Sequence, residues 1–426
     1  MTEKSTKKKM KKIYILFVIC MSIKVGAQTS TFSHADSLLE KGRYRLALSN
    51  LKTVDTLQDV SNYKIGSIYV AIDDFKNAII YYKKSLGFKE SYVVQLSLAK
   101  AYYRVKKYKK AIAIYEALLE RDTENLIIQF QLGKLYMATN GLRKATQTFK
   151  MLSQKDPKNP NYHYQLGLIA ARKVNGNGML DNFLRAYKSD HTHIKSVYQL
   201  AKTFALFKKR DSSRLFTDKG LLLDSLHINL NKLKINELFR NKKYQKAIVR
   251  LRILDALSPN DLYIKKMLGR SYFNIDSLNL AKTNFKKAKV LDAEDFKIWN
   301  YLGHIYKSKK EYRNAFYHYM RATSVGKKER SVAYYSLGMY HLEMKEPKMA
   351  IIMFKKALRE NGKKYKVKYQ LALTSDSFYK DKKIAYSLYD DYILRFDEKD
   401  KDITEFVKNR MKEIKTGLFM KGEKVE

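Results

Sequence analysis

The sequence predicts an all-α repeat protein, and three observations lead to that prediction. The chain of 426 residues contains 4 prolines and 17 glycines, and 45% of its residues are hydrophobic. Proline breaks helices and glycine weakens them, so this composition favours long stretches of helix. A fixed pattern of small and aromatic residues also recurs every 31 to 35 positions. Since one hydrophobic core rarely serves so long a chain, we expect a stack of similar units.

The recurring pattern is centred on an alanine that follows an aromatic residue by three positions. Tyr108 precedes Ala111 in this way, and Tyr244 precedes Ala247. The positions of this register are Ala47, Ala78, Ala111, Ala145, Met179, Ser213, Ala247, Ala281, Ala315, Ala350 and Ala385. Their number predicts about eleven units.

Each unit also has a second small residue and a second aromatic residue at fixed distances from the alanine. The small residue lies twelve positions earlier, at Gly66, Ala99, Gly133, Gly167, Ala201, Gly269, Gly303 and Gly338. The aromatic residue lies four positions later, at Tyr82, Tyr115, Phe149, Phe285, Tyr319 and Phe354. Spacings of three and four place these residues on one stripe of each of two helices. We therefore expect helix-turn-helix units in which small residues let the two axes approach and aromatic rings fill the space beside them.

The order of these sites resembles the tetratricopeptide repeat, and the unit from Trp299 to Ala322 matches it best. The resemblance implies a right-handed α-solenoid of about eleven helix-turn-helix units over residues 28–400. It also implies a concave groove, lined by the first helix of each unit, in which segments of partner proteins lie. The fold serves many partners, so the resemblance does not name one.

Residues 173–226 depart most from the repeat. The four residues from Asn175 to Gly178 read Asn-Gly-Asn-Gly, where other units have charged and aromatic residues, and this predicts a reshaped turn. Met179 and Ser213 replace the repeated alanine in the same stretch. We expect the weakest units here, and hence a candidate hinge.

The last segment, residues 401–426, is predicted to form a capping helix and a tail. Its apolar residues fall on one face of a helix: Ile403, Phe406, Val407, Met411 and Ile414. A terminal repeat exposes an apolar face that such a helix covers. A helix that binds a partner or a membrane surface is the alternative.

The first 27 residues are predicted to be a secretory signal peptide. Lysines precede an apolar run from Ile13 to Ile23, and cleavage is expected after Ala27. A lipoprotein signal at Cys20 is a rival, although the three residues before it are bulky where such signals prefer small ones. An uncleaved anchor is another alternative, and Met10 is a second candidate start. The prediction is an exported protein of the periplasm or cell envelope, with no transmembrane helix after cleavage.

The net charge of +43 comes mainly from 66 lysines, against 19 arginines. A chain this basic attracts polyanions. Lysine also solvates helix surfaces well and selects phosphate less strongly than arginine does. Both a polyanionic partner and a general lysine bias therefore remain open.

No motif in the sequence indicates catalysis. The chain has no Gly-x-Ser-x-Gly, no His-Glu-x-x-His and no Walker loop. His191 and His193 supply only two potential metal ligands, and Cys20 is the single cysteine. We expect a protein that is not an enzyme, with no cofactor, no metal and no specific nucleic-acid partner.

Candidate binding residues follow from the resemblance, which places certain positions of each first helix in the groove. In the seventh to ninth units these are Lys232, Asn236, Lys266, Arg270, Lys297 and Asn300. Four cations and two amides in one groove predict a site that grips carboxylates or phosphates by charge-assisted hydrogen bonds. Tyrosines occupy equivalent positions in earlier units: Tyr63, Tyr164 and Tyr198.

Part of this set resembles the carboxylate clamp of chaperone-binding tetratricopeptide domains. Lys232 and Asn236 match two positions of that clamp, whereas Met267 and Tyr301 stand at its remaining amide and arginine positions. The sequence thus predicts a non-enzymatic scaffold or adaptor of the bacterial cell envelope that binds partner segments in its groove, with acidic segments as one option. An envelope protein that binds acidic glycan or lipid phosphate is the alternative.

Overall fold

A computed structural model describes residues 31–53, 59–325 and 330–423 of the chain. The predicted signal peptide, its cleavage site, Met10 and Cys20 lie outside these residues. The contacts divide the chain into two compact units, the first ending at Lys219 and the second beginning at Gly220. This boundary falls inside residues 173–226, where the hinge remains a prediction.

Within the described residues the first unit contains five helix-turn-helix pairs and most of a sixth, whose second helix α12 extends past Lys219. The helices are α1 (31–40), α2 (Tyr44–Thr53), α3 (Asp59–Ala71), α4 (Phe75–Phe88), α5 (Tyr92–Arg104), α6 (Tyr108–Arg121), α7 (Leu126–Ala138), α8 (Leu142–Lys155), α9 (Pro160–Arg172), α10 (Gly176–Ser189), α11 (Ile194–Leu206) and α12 (Arg210–Leu223). From α2 to α10, each helix packs against the helix that follows it in the chain, as a solenoid of stacked pairs requires.

The second unit contains pairs 7 to 11 and a terminal helix within the described residues. The helices are α13 (Ile228–Arg240), α14 (Tyr244–Leu257), α15 (Leu262–Asn274), α16 (Leu278–Leu291), α17 (Phe296–Ser308), α18 (Tyr312–Ser324), α19 (Arg330–Glu343), α20 (Pro347–Glu360), α21 (Tyr365–Phe378), α22 (Lys382–Phe396) and α23 (Lys401–Phe419). The predicted all-α repeat fold with about eleven units is confirmed.

The two helices of a pair approach closely because glycine faces an aromatic ring. A Cβ atom added at six glycines would lie within 3.0 Å of the ring sixteen residues later in the chain; these glycines are Gly66, Gly133, Gly167, Gly269, Gly303 and Gly338. A separation that short does not occur between real Cβ atoms and their neighbours, so a side chain here forces the helices apart. The expected role of the small and aromatic sites is confirmed.

The turn inside most pairs contains one residue in the left-handed region. Its φ lies between 56° and 61° at Asp73, Lys106, Asn140, Val174, Lys208, Lys242, Asp276, Lys310 and Lys345. In each case this residue lies just after the first helix, and the next N–H returns to a carbonyl of that helix's last turn, as Lys107 N does to Tyr102 O at 2.9 Å. Glycine is the residue that adopts this conformation without strain, yet none of these nine residues is glycine.

The turn of pair 5 has the same geometry as its neighbours, so the predicted reshaping is wrong. The N–H of Asn175 donates to the carbonyl of Ala170 at 2.9 Å, as in the other turns. The Asn175 side chain accepts from the N–H of Gly178 at 2.9 Å and caps α10. Asparagine is a favoured N-cap, so it begins the helix without the charged and aromatic residues that other units use.

Val174 is expected to be strained, because a β-branched residue in the left-handed region crowds its own backbone. Its side chain is 91% exposed and loses no packing when removed. We expect Val174→Gly to raise the free energy of unfolding by about 1 kcal/mol, measured by urea denaturation. The matched control is Val249→Gly, an exposed valine within α14, which should lower it by about 0.5 to 1 kcal/mol. A loss of stability in both variants would contradict the left-handed turn.

The terminal helix α23 packs against the two helices of the last pair. Val407, Ile414 and Leu418 are buried against α21 and α22. Asp376 of α21 accepts hydrogen bonds from Arg410 of α23, at 2.7 Å from Nε and 3.2 Å from Nη2. Phe406, which was predicted on the apolar face, is 42% exposed and meets the ring of Tyr369 edge-on at 5.9 Å.

No helix among the described residues is both long enough and apolar enough to cross a membrane.

Candidate functional site

A cavity of about 670 Å³ lies between the first helices of pairs 7, 8 and 9. Five of the six predicted groove residues line it, namely Asn236, Lys266, Arg270, Lys297 and Asn300. Lys232 lies beside the cavity rather than on its wall. The first helices α13, α15 and α17 supply most of the lining because their outward stripes converge in the groove. The sequence pattern therefore brings its candidate residues together in space.

Two of the predicted cations are paired with carboxylates. Lys232 Nζ lies 2.7 Å from Asp261 Oδ2, and Lys266 forms an ion pair with Asp295. Asp261 and Asp295 are the N-caps of α15 and α17, so each lysine links one first helix to the start of the next. These two lysines stabilise the contact between neighbouring first helices, and their charges are already paired and so are not available to bind a ligand.

Asp261 is held in its charged form by these contacts. Burial alone raises the pKa of the Asp261 carboxyl, but hydrogen bonds from Lys232 and the N–H of Ile264 outweigh burial. The net effect lowers its pKa below the ordinary value. The ion pair therefore persists throughout the neutral range.

Arg270 differs from these lysines because no carboxylate of the described residues contacts it. Its guanidinium carbon lies 4.3 Å from the ring centre of Phe239, a stacking arrangement that fixes the side chain. Nη1 donates to Met267 Sδ at 3.4 Å, and the buried Nε has no hydrogen-bond partner within the described part of the chain. The cavity thus contains a cation whose position is fixed and which has an N–H group that still lacks an acceptor.

Asn300 is the second polar group held in place at the cavity. It is 8% exposed, and its Nδ2 donates to His304 Nε2 at 3.0 Å. His304 Nδ1 lies 2.9 Å from the hydroxyl of Tyr319. Since an amide nitrogen can only donate, Nε2 accepts and Nδ1 carries the ring proton. The Oδ1 atom of Asn300 is buried and has no partner among the described residues.

His304 is neutral in this arrangement. Burial, with a smaller contribution from the nearby Lys307 charge, lowers the pKa of His304 to about 4. Protonation below that pH would force Nε2 to donate and would break its hydrogen bond with the Asn300 amide nitrogen. At neutral pH the ring therefore fixes the orientation of Asn300.

The remaining wall of the cavity is apolar and aromatic. Tyr301 stacks on Phe285 with ring centres 4.9 Å apart, and Phe273 meets Tyr301 edge-on at 5.7 Å. Phe296 and Val332 complete this side. A mostly apolar cavity with a few fixed polar groups is the usual form of a specific binding site.

Several lining residues were not among the sequence candidates. His304 occupies the position immediately after the small site Gly303, which is the position that identified Asn236 and Arg270. The same rule could have found it. In the sequence, Tyr301 marks only a position where a clamp residue is absent, whereas in the structure it forms part of the aromatic wall.

The first unit has a smaller cavity, of about 390 Å³. Its lining comprises Val70, Phe75, Tyr82, Ser97, Lys100, Ala101, Tyr103, Arg104, Tyr115, Gln131, Lys134 and Leu135. The tyrosines predicted to line the groove of this unit are not on that wall. Tyr63 packs on Tyr82 with ring centres 5.9 Å apart, and Tyr164 packs on Phe183 at the same distance.

The two histidines considered as metal ligands are engaged in other contacts. His191 meets the ring of Tyr187 edge-on at 4.6 Å, and His193 Nδ1 lies 2.6 Å from Ser196 Oγ. Within the described ranges no group of three or more His, Cys, Asp or Glu side chains lies together as metal binding would require.

Comparison with known families finds one repeat family in parts of the chain. Models of the tetratricopeptide repeat match residues 102–170, residues 60–92 and residues 331–364. These matches show tetratricopeptide repeats at three places along the chain, and the helix pairs described above have the same helix-turn-helix form. Such a fold supports an interaction scaffold for other proteins. None of the curated protein sequences matches this chain at a significant level.

Solved structures of similar architecture include yeast Tom70, with 15% sequence identity, coverage of 91% of this chain and 96% of that chain, and a TM-score of 0.43. The Cut9–Hcn1 hetero-tetramer of the APC/C is similar at 13% identity, covering 88% and 83%, with a TM-score of 0.45. Pseudomonas aeruginosa PilF is similar at 18% identity, covering 48% and 92%, with a TM-score of 0.41.

Proposed function

We propose that this chain is a non-enzymatic scaffold of the bacterial cell envelope that holds segments of partner proteins in the cavity between pairs 7 and 9. The observation that carries the proposal is the cavity itself, which combines an aromatic wall with the fixed polar groups of Arg270 and Asn300. Preformed sites of this kind bind with little cost in ordering the protein. The repeat fold by itself supports a protein as the partner, without specifying which one.

The envelope location is supported by the basic and apolar pattern of residues 1–27. Its test is N-terminal sequencing of the protein recovered from fractionated source cells. We expect a mature chain that begins at Gln28 in the envelope fraction. An intact leader on a protein found with cytoplasmic markers would refute this part of the proposal.

A polyanion-binding envelope protein is the second candidate, favoured by the net charge of +43. Binding of that kind weakens steeply with salt and does not depend on peptide sequence. The pairing of Lys232 and Lys266 with aspartates reduces the positive charge that the groove itself offers. Any polyanion site would thus draw on the wider surface.

The proposal is tested by selecting random twelve-residue peptides, displayed on phage, against the full chain at 150 mM salt. We expect Asn236→Trp, which places a large ring at the exposed mouth of the cavity, to abolish recovery of the selected peptides. The matched control is Lys202→Trp, at the equivalent exposed position of α11 and outside the cavity. Equal recovery on both variants would place binding elsewhere, and failure to select any peptide would contradict the scaffold function.

A further inference from the structure

The charges of the cavity do not favour a long acidic ligand. Lys232 and Lys266 are each neutralised by an aspartate of the following first helix. These two pairs therefore offer little net positive charge to a run of acidic side chains. Among the described residues no carboxylate contacts Arg270 of the lining, and stacking on Phe239 fixes its side chain, so it presents a single positioned positive charge. The electrostatic match is therefore to one negative group rather than to several.

Two buried polar atoms indicate what surrounds that negative group. Arg270 Nε is a donor without a partner, and Asn300 Oδ1 is an acceptor without a partner, in both cases among the described residues. A buried polar group left unpaired costs about 1 to 3 kcal/mol, so a ligand that pairs both gains affinity. An acceptor and a donor on one ligand are what a carboxylate and a neighbouring peptide N–H provide.

The aromatic wall requires an apolar group of substantial size. Phe273, Phe285 and Tyr301 form a connected set of rings, with Phe296 beside them. A lysine or a small polar side chain would leave this surface in contact with water. An aromatic or large aliphatic side chain would bury it, and aromatic pairs add about 0.5 to 1.5 kcal/mol beyond the buried area.

We propose that the cavity selects a peptide segment with one bulky apolar side chain and one carboxylate close to it in sequence. The apolar side chain enters the aromatic wall, the carboxylate accepts from Arg270, and a peptide N–H of the segment donates to Asn300 Oδ1. His304 acts as a positioning residue that holds the Asn300 amide. This inference rests on the proposed scaffold function and specifies its ligand.

The peptides selected in the experiment above give the first test. We expect enriched sequences to combine phenylalanine, tryptophan, leucine or isoleucine with an aspartate or glutamate within two positions. Enrichment of acidic runs without an apolar residue would overturn the inference and favour the polyanion reading. Enrichment of apolar residues without an acid would also overturn it, although the scaffold function would stand.

The second test measures the dissociation constant of one selected peptide and of its Asp→Asn or Glu→Gln version. On the unmodified protein we expect the neutral peptide to bind at least tenfold more weakly, since a charge-assisted hydrogen bond is lost. On Arg270→Met, which keeps the contact with Phe239, the two peptides should differ by less than twofold. The control variant is Arg252→Met, an exposed arginine of α14 outside the cavity, which should retain the tenfold difference.

Each peptide is also measured with a free and with an amidated C-terminus. If only the amidated peptide binds more weakly, the carboxylate that Arg270 recognises is the C-terminus of the peptide. If the two forms bind equally, the carboxylate is that of a side chain. Either result supports the inference if Arg270→Met removes the difference between charged and neutral peptides. A tenfold difference that persists in Arg270→Met contradicts it.

Discussion

Replacing Gly133 with alanine is expected to lower the free energy of unfolding by about 2 kcal/mol. The new Cβ would lie 2.6 Å from Cζ of Phe149, a ring that is fully buried between α7 and α8. Neither helix can move away without disturbing the pairs stacked on it, so the clash is relieved only by loosening the stack. Equilibrium denaturation in urea, with helix content as the signal, measures the loss.

Two further variants show whether the contact with the ring is responsible. Gly417→Ala places a Cβ in open space on α23 and is expected to raise stability by up to about 1 kcal/mol, because alanine favours helix over glycine. The double variant Gly133→Ala with Phe149→Leu should lose less than the sum of the two single changes. Simple additivity, or an equal loss at Gly417, would refute the close packing of α7 on α8.

Replacing Asp376 with alanine is expected to detach the terminal helix α23 and to cost about 2 to 3 kcal/mol. Asp376 is 6% exposed, and its carboxylate oxygens lie 2.7 Å from Arg410 Nε and 3.3 Å from Lys382 Nζ. Removing the carboxylate leaves two cations near an apolar interface with no counterion. Hydrogen exchange of the α23 amides, read by mass spectrometry, should accelerate more than exchange in α13 to α18.

The matched control is Asp181→Ala, which breaks an ion pair with Arg185 whose partners are 58% and 60% exposed. Exposed pairs contribute little, so a change within about 0.5 kcal/mol is expected. Similar losses for Asp181 and Asp376 would show that burial does not distinguish the two pairs. Unchanged exchange of α23 in Asp376→Ala would show that the cap is held by its apolar face alone.

The same carboxylate gives the cap a dependence on pH. Burial alone raises the pKa of Asp376, but hydrogen bonds from Arg410 and Lys382 outweigh it and lower the pKa below 3.8. A group with a lowered pKa stabilises the folded state fully above its ordinary pKa and loses that contribution as pH falls through the folded value. Docking of α23 should therefore be constant from pH 7 down to about 4 and weaken below that.

Much of the fold could be predicted because its main determinants repeat in the sequence. The alanine register and the glycine twelve positions earlier identify two helix stripes wherever they occur, and both contacts exist in the structure. The left-handed turn residue could not be found in the same way. Its position holds lysine five times, whereas glycine would have marked it.

The candidate site was predicted in outline but not in its electrostatics. Groove positions could be counted from the small residue of each first helix, and five of the six residues share one cavity. The pairing of Lys232 and Lys266 depends on the N-cap of the following first helix. Asp261 and Asp295 each lie 29 positions after their lysine, a repeated spacing that carries the signal. Stacking of Arg270 on Phe239 has no such signal, because it depends on side-chain conformation.

The most direct measurement is site-specific photo-crosslinking from the cavity in envelope extract. A benzoylphenylalanine at position 236, at the mouth of the cavity, is compared with one at position 202, outside it. We predict crosslinks at position 236 to a small set of protein segments, each with a bulky apolar residue near an acidic one, and few at position 202. Equal crosslinking at both positions, or crosslinks at 236 to glycan or lipid alone, would contradict a groove that holds partner proteins.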